Sequence, residues 1–187
     1  MIYLSKGVLC KSNGLENLHI TRGNETVNIT DIDAKMWLDG RFEFCHTHSA
    51  EEENSVLHLA SLGLMEYEQE DTPVNRYRIL TRGVCCIAKS KGIPQFICRA
   101  ERNVMRWIQY AGIRLSTAEL VYLVENKVAP TDELLYESNR QTLVERIYTT
   151  DTIYDNILEN QMERAACRDE VVTIIMNLIC KRKILVL

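Results

Sequence analysis

The 187-residue chain lacks a long apolar run. Stretches such as "IIMNLIC" at 174 to 180 and "ILVL" at 184 to 187 fall far below the roughly 20 residues that span a bilayer. A membrane-crossing role is therefore not expected. The first residues, "MIYLSKGVLCK", lack the basic start, sustained apolar stretch and small-residue cleavage site of a secretory signal, so the expected location is the cytoplasm. No GxxxxGK[ST] or GxGxxG is present to cradle a phosphate, and the eight glycines are scattered at turns. GxSxG, HExxH and paired CxxC are also missing, which leaves no motif for nucleophilic or metal-assisted hydrolysis. With only three prolines and no low-complexity segment, no linker announces itself.

What is present fits a globular protein, since 46% of the residues are apolar, enough for an ordinary core. Trp37, Trp107 and Tyr154 fall on expected apolar faces, where they read as core rather than as a cofactor box. The seven cysteines are an odd number without regular spacing and read as reduced, small core residues. The nearest approach to metal-ligand spacing is "CHTH", with Cys45, His46 and His48, and with His58, Cys85 and Cys86 as distant candidates. No second CxxC or HxxxH closes such a site. A non-enzymatic protein without cofactor or metal is the resulting expectation.

The net charge of −4 conceals a segregation. Glu43 to Asp71 contains eight acids and no Lys or Arg, whereas Arg76 to Arg106 contains eight bases and one acid, Glu101. A distribution of this kind says more about partners than the total does.

Along the chain, alternating β-branched runs predict short strands before residue 30, with a hairpin at Arg22-Gly23-Asn24. Thr30 with Asp33 resembles a capping pair for a helix that buries Ile32, Met36 and Trp37 and stops at Gly40. Ser49 with Glu52 opens a second helix, its buried face expected at Val56, Leu57, Ala60 and Leu64, with Gly63 as left-handed cap. Leu64 to Gln69 and Asn75 to Leu80 alternate with period two around Pro73, which predicts a hairpin. "VCCIA" after Gly83 fits either a short strand or a helix start. A helix entered near Pro94 and ending near Gly112 carries Ile97, Val104, Trp107, Ile108 and Ala111 on one side and Arg99, Arg102 and Arg106 on the other. Ser116 with Glu119 caps the next helix, and helices follow at "TTDTIYDNILENQMERAA" and around Val171, Val172, Ile175, Leu178 and Ile179. A terminal β-like "ILVL" closes the chain, either satisfying a core or pairing across a homodimer.

Helix, turn, helix, "LGL", an alternating run and "LTRG" is the order of a winged-helix domain, which residues 30 to 83 resemble through "LASLGLMEYEQ" and "NRYRILTRG". The helix near 168 to 180 followed by "KRKILVL" is similar to a second such unit with a truncated wing. The expected fold class is thus mainly α with small β-hairpins, an α+β chain. Its expected division is a winged-helix-like domain at 1–91, a basic connector helix at 92–114 and a helical domain at 115–187.

The winged-helix resemblance implies a DNA-binding regulator of transcription, bound to duplex DNA through the helix before the hairpin and a basic wing. Here that helix opens with Glu51, Glu52 and Glu53, and Glu66 and Glu68 follow, so phosphate would be repelled there. The expected nucleic-acid surface is instead Arg76, Arg78, Arg82, Lys89, Lys91, Arg99, Arg102 and Arg106. An alternative is that these bases pair with the acids of residues 43 to 71. "ETVNITDIDAKMWLDGRFEF" followed by "LASLGLMEYE" also resembles the small winged helices that bind leader peptides. That second resemblance implies a peptide or protein partner, met by a strand added to the N-terminal sheet or by the acidic face of Glu51, Glu52, Glu53, Glu66 and Glu68.

Overall fold

The first strand, β1 (Ile2–Ser5), is buried along its whole length because both of its edges are paired and residues pack on both of its faces. It lies antiparallel between β5 (Cys45–His46) and β6 (Met65–Glu68), with Tyr3 opposite Cys45 on one side and Tyr67 on the other. The computed structural model containing it describes residues 1–14, 17–88, 96–111, 115–135, 143–144, 147–148, 155–165 and 168–187. They fall into two units, residues 1–83 with 185–187, and residues 84–184.

In the first unit, β2 (Val8–Ser12), β3 (Asn17–Arg22) and β4 (Glu25–Thr30) form an antiparallel sheet with β3 in the middle. Gly23 takes φ 59° as the first of two loop residues in the expected hairpin, a conformation that glycine adopts without steric cost. Leu18, Ile20 and Ile29 turn one face of the sheet into a core completed by Met36 and Trp37 of α1 (Asp31–Asp39) and by Val56 and Leu59 of α2 (Ala50–Ser61). The opposite face is polar, and Cys10, Thr21 and Thr26 line up across its three strands.

Both helices form where the period changes, but three details differ from expectation. Thr30 stands at the N-cap of α1 without a side-chain cap bond, and Asp31 after it takes φ 52°, turning the chain away from ordinary capping geometry. Asp33 is used instead to join α1 to α2, accepting from the Ser55 hydroxyl at 2.5 Å and lying 2.7 Å from His58 Nδ1. In α2, Leu57 is exposed while Ser55, Val56 and Leu59 are buried, so the helix is rotated from the expected face. Ser49 does cap it, accepting from Glu52 N–H, and Gly63 does adopt the left-handed conformation, at φ 69°.

The largest correction concerns residues 75 to 80, which are helical. They belong to α3 (Pro73–Thr81), not to the second strand of a hairpin. Thr72 accepts from Asn75 N–H and Pro73 occupies the first turn, where its missing N–H costs nothing. Tyr77, Ile79 and Leu80 face the core, a pattern that helix and strand can both produce over six residues. Arg76 and Arg78 are therefore helix residues, with Arg82 at the C-cap. The β-partner that β6 would have found in a hairpin is β1, which precedes it by some sixty residues.

In the second unit, β7 (Cys85–Ile87) settles the "VCCIA" ambiguity in favour of a strand. The terminal "ILVL" contains the last strand, β8 (Ile184–Val186). Helix α4 (Arg99–Ala111) starts after Ile97, and Val104, Trp107 and Ile108 of the expected stripe are buried on it. Pro94 and Gly112 lie outside the described residues. Ser116 and Glu119 form the complete reciprocal capping box of α5 (Thr117–Glu125). A single turn, α6 (Asp132–Leu135), precedes α7 (Asp155–Arg164). In α8 (Arg168–Cys180), Val171, Val172, Ile175, Leu178 and Ile179 are all buried, as their spacing requires. Tyr154 lies outside the described residues. Among the described residues no helix is long and apolar enough to cross a membrane.

Candidate partner-binding surfaces

Charge segregation in the sequence becomes charge pairing in the first unit. Arg76 grips Asp71 with two parallel bonds, Nε to Oδ1 at 2.6 Å and Nη2 to Oδ2 at 2.7 Å, while its guanidinium covers the Phe44 ring. The same carboxylate meets His46 Nε2 at 2.9 Å, and the Arg76 bonds hold Asp71 below the usual carboxylate range. Arg82 reaches Glu68 at 2.5 Å and the Tyr67 carbonyl at 3.2 Å. Glu66 is occupied by Lys6, whose buried ammonium lies 2.6 Å away and also donates to the Arg82 carbonyl. Arg78 is half-buried and donates to Asn75 Oδ1 at 3.4 Å.

Two of the three arginines expected on a basic wing, Arg76 and Arg82, thus lie beside acids supplied by β6 and its following turn. The alternation that suggested a strand places them on a helix packed against that strand, within reach of Glu66, Glu68 and Asp71. The acidic face is partly committed as well. Glu52 accepts from His48 N–H at 2.7 Å, which with nearby Lys35 keeps its carboxyl low, and Glu53 meets the Thr47 hydroxyl at 3.5 Å. Glu51 is exposed in the first turn of α2.

Helix α4 contrasts with this. Arg106 pairs with Asp132 at 3.3 Å, but Arg99 and Arg102 are exposed on the same helix. The acid between them, Glu101, is 2% exposed and turned inward to Lys181, with N–O distances of 2.6 and 2.8 Å. Lys89 and Lys91 lie outside the described residues.

The cysteine and histidine candidates do not converge. Cys45 donates to the Asp39 carbonyl at 3.3 Å, and burial with the neighbouring Glu43 and Asp39 charges pushes its thiol up, away from the reactive thiolate. His46 is on Asp71, whereas His58 is on Asp33. Burial raises Cys86 and carries Cys85 to about 11. Among the described residues no three His, Cys, Asp or Glu side chains are placed to hold a metal ion. Ser55, Asp33 and His58 bring together the residue types of a hydrolytic triad in the wrong order, because the carboxylate rather than the imidazole sits between the other two.

Sequence reasoning missed the open edge of β4. In a two-residue hairpin the closing pair, Arg22 and Glu25, is hydrogen-bonded, and strict alternation then turns the backbone of Glu25, Val27 and Ile29 toward β3. The N–H and C=O of Thr26 and Asn28 point away from the sheet, with no strand beside them among the described residues. The opposite edge is irregular, because the register shifts between Leu9 and Lys11 at a bulge on Cys10. No family model, curated protein or solved structure matches the chain.

Proposed function

We propose that the protein is a non-enzymatic interaction module whose first unit binds an extended peptide or protein segment as an added strand along β4. The observation that supports this reading is the regular edge at Thr26 and Asn28, which offers two sets of outward backbone groups at strand spacing. The bulge at Cys10 blunts the other edge, a common protection against unwanted pairing. Half-buried Val27 lies between the two donors and supplies an apolar contact for alternate side chains of the segment. The resemblance to leader-peptide-binding winged helices points to the same sheet.

Panning a random peptide library against the full chain tests the reading. Peptides that bind should slow hydrogen exchange at the Thr26 and Asn28 amides, and Asn28→Pro should abolish binding while the fold is retained, because that N–H takes no part in the β3–β4 ladder. Binders that protect other amides only, or that tolerate Asn28→Pro, would refute it.

Nucleic acid contact is a second reading, supported by exposed Arg99 and Arg102 on α4. Titrating salt against random duplex DNA tests it, since affinity that depends on phosphate contacts falls steeply as salt rises. Failure of Arg99→Glu with Arg102→Glu to reduce that slope would remove α4 from the interface.

A further inference from the structure

The second unit contains a cleft of about 380 Å³, near the lower end of the roughly 300–1,000 Å³ of small-molecule sites. Its walls come from α4, the C-terminal end of α5 with residues 127–129, and the first turns of α8. The floor is apolar, with Trp107, Val128, Val171 and Ile174. Trp107 is fully buried, yet its Nε1–H, a donor with no acceptor role, has no hydrogen-bond partner among the described residues. A buried donor without a partner is uncommon and asks for an explanation. Asn103 and Glu125 add an amide and a carboxylate to the lining, and Arg99, Lys127 and Glu170 are exposed members of it. Arg99 and Lys127 make no ion pair with any described residue.

These groups limit the chemistry of an occupant. A simple inorganic anion would meet Arg99 and Lys127 but leave the apolar floor unfilled. An aliphatic acid would fill the floor and leave the Trp107 donor unmet, while a simple cation would meet Glu125 and Glu170 but leave the floor, the Trp107 donor and the two bases without a partner. A planar heteroaromatic ring that carries acceptors and donors, attached to an anionic group, satisfies the floor, Trp107, the Asn103 amide and the two bases together. We infer that this cleft binds a nucleoside monophosphate, with its base over the Trp107 floor and its phosphate at Arg99 and Lys127. No glycine-rich loop is required, since side-chain cations rather than backbone N–H groups would meet the phosphate. This site lies wholly within the second unit and is independent of the β4 edge.

The chain's two tryptophans provide the test, read as two indole N–H signals in a proton–nitrogen correlation spectrum. Trp37 donates to the Lys6 carbonyl at 2.9 Å and acts as an internal reference, while Trp107→Phe assigns the other signal. Full-length protein is titrated with AMP, GMP, CMP and UMP, and separately with inorganic phosphate. At least one monophosphate should shift the Trp107 signal saturably toward lower field and leave Trp37 in place, whereas phosphate alone should not move it. Arg99→Ala combined with Lys127→Ala, at two exposed positions, should weaken that response roughly tenfold or more through loss of two charge-assisted contacts. Three results would each overturn the assignment: no saturable shift at millimolar nucleotide, the same shift from phosphate alone, or undiminished binding by the double variant.

Discussion

Arginines from one basic stretch of sequence meet different fates in the two units. In the first unit, Arg76 and Arg82 sit on and just after a helix that packs beside β6, and Asp71, Glu68 and Glu66 neutralise them. In the second, the acid nearest Arg99 and Arg102 along the chain is Glu101, and Lys181 has already claimed it from inside. Charge counted along the chain therefore overstates the basic surface of the first unit and locates that of the second. The ion pairs differ in how far their cations are removed from water: Lys6 is 3% exposed, Lys181 29% and Arg76 45%. That order sets the expected cost of breaking each pair.

Glu66→Gln should have the largest effect. It leaves the Lys6 ammonium buried with no carboxylate, and orphaning one member of a buried pair costs about 3–5 kcal/mol. Urea denaturation of the variant would reveal it as a lower midpoint with an unchanged slope. Combining Glu66→Leu with Lys6→Met should recover most of the loss, because the pair as a whole contributes little beyond its own desolvation. A midpoint within experimental scatter of wild type for Glu66→Gln alone would mean that Lys6 reaches water.

That pair also shows where the sequence was legible and where it was not. Helices α2 and α5 declared themselves by caps as well as period, and α1 and α8 by period, because both signals are local. The 22–25 hairpin did so through its turn glycine. Residues 75–80 did not, since Tyr77 and Ile79 fit a two-residue period as well as a helical one. The Thr72-Pro73 cap that decides the matter fits a hairpin loop equally well in sequence. Nor can a sequence reveal that β1 lies between β5 and β6, a pairing across some sixty residues that brings Lys6 to Glu66. The rotation of α2 toward Leu59 follows from what α1 presents to it, which is tertiary information. For the candidate sites, the basic residues were visible in sequence. Their partners were not, nor was the β4 edge, because exposure of an edge depends on the strand order of the sheet.

Glu101→Gln should cost less than Glu66→Gln, although Glu101 is itself buried. Lys181 is partly hydrated and can turn to water once its partner has lost its charge, and a glutamine still accepts from the Cys98 N–H. About 1.5–3 kcal/mol is expected, the range for hydrogen bonds to charged groups. The same urea measurement that ranks it below Glu66→Gln would support the burial order, and a larger loss would reverse it.

Asp71 should give the smallest effect and the one most dependent on pH. Its carboxyl is held low in the folded chain, chiefly by the two bonds from Arg76, so its stabilising contribution is fully present above the unfolded value of about 3.9. That contribution disappears as the pH falls through the lower, folded value. Arg76 is nearly half exposed, so at neutral pH Asp71→Asn should cost at most about 1 kcal/mol, the upper end for solvent-exposed pairs. The difference in melting temperature between wild type and Asp71→Asn should therefore be small and constant from pH 5 to 7, and should shrink toward zero in more acidic buffer. High salt should reduce it as well, whereas the Glu66→Gln deficit should persist because water and counterions do not reach Lys6. If the two deficits respond equally to salt, then burial of the cation is not what separates them.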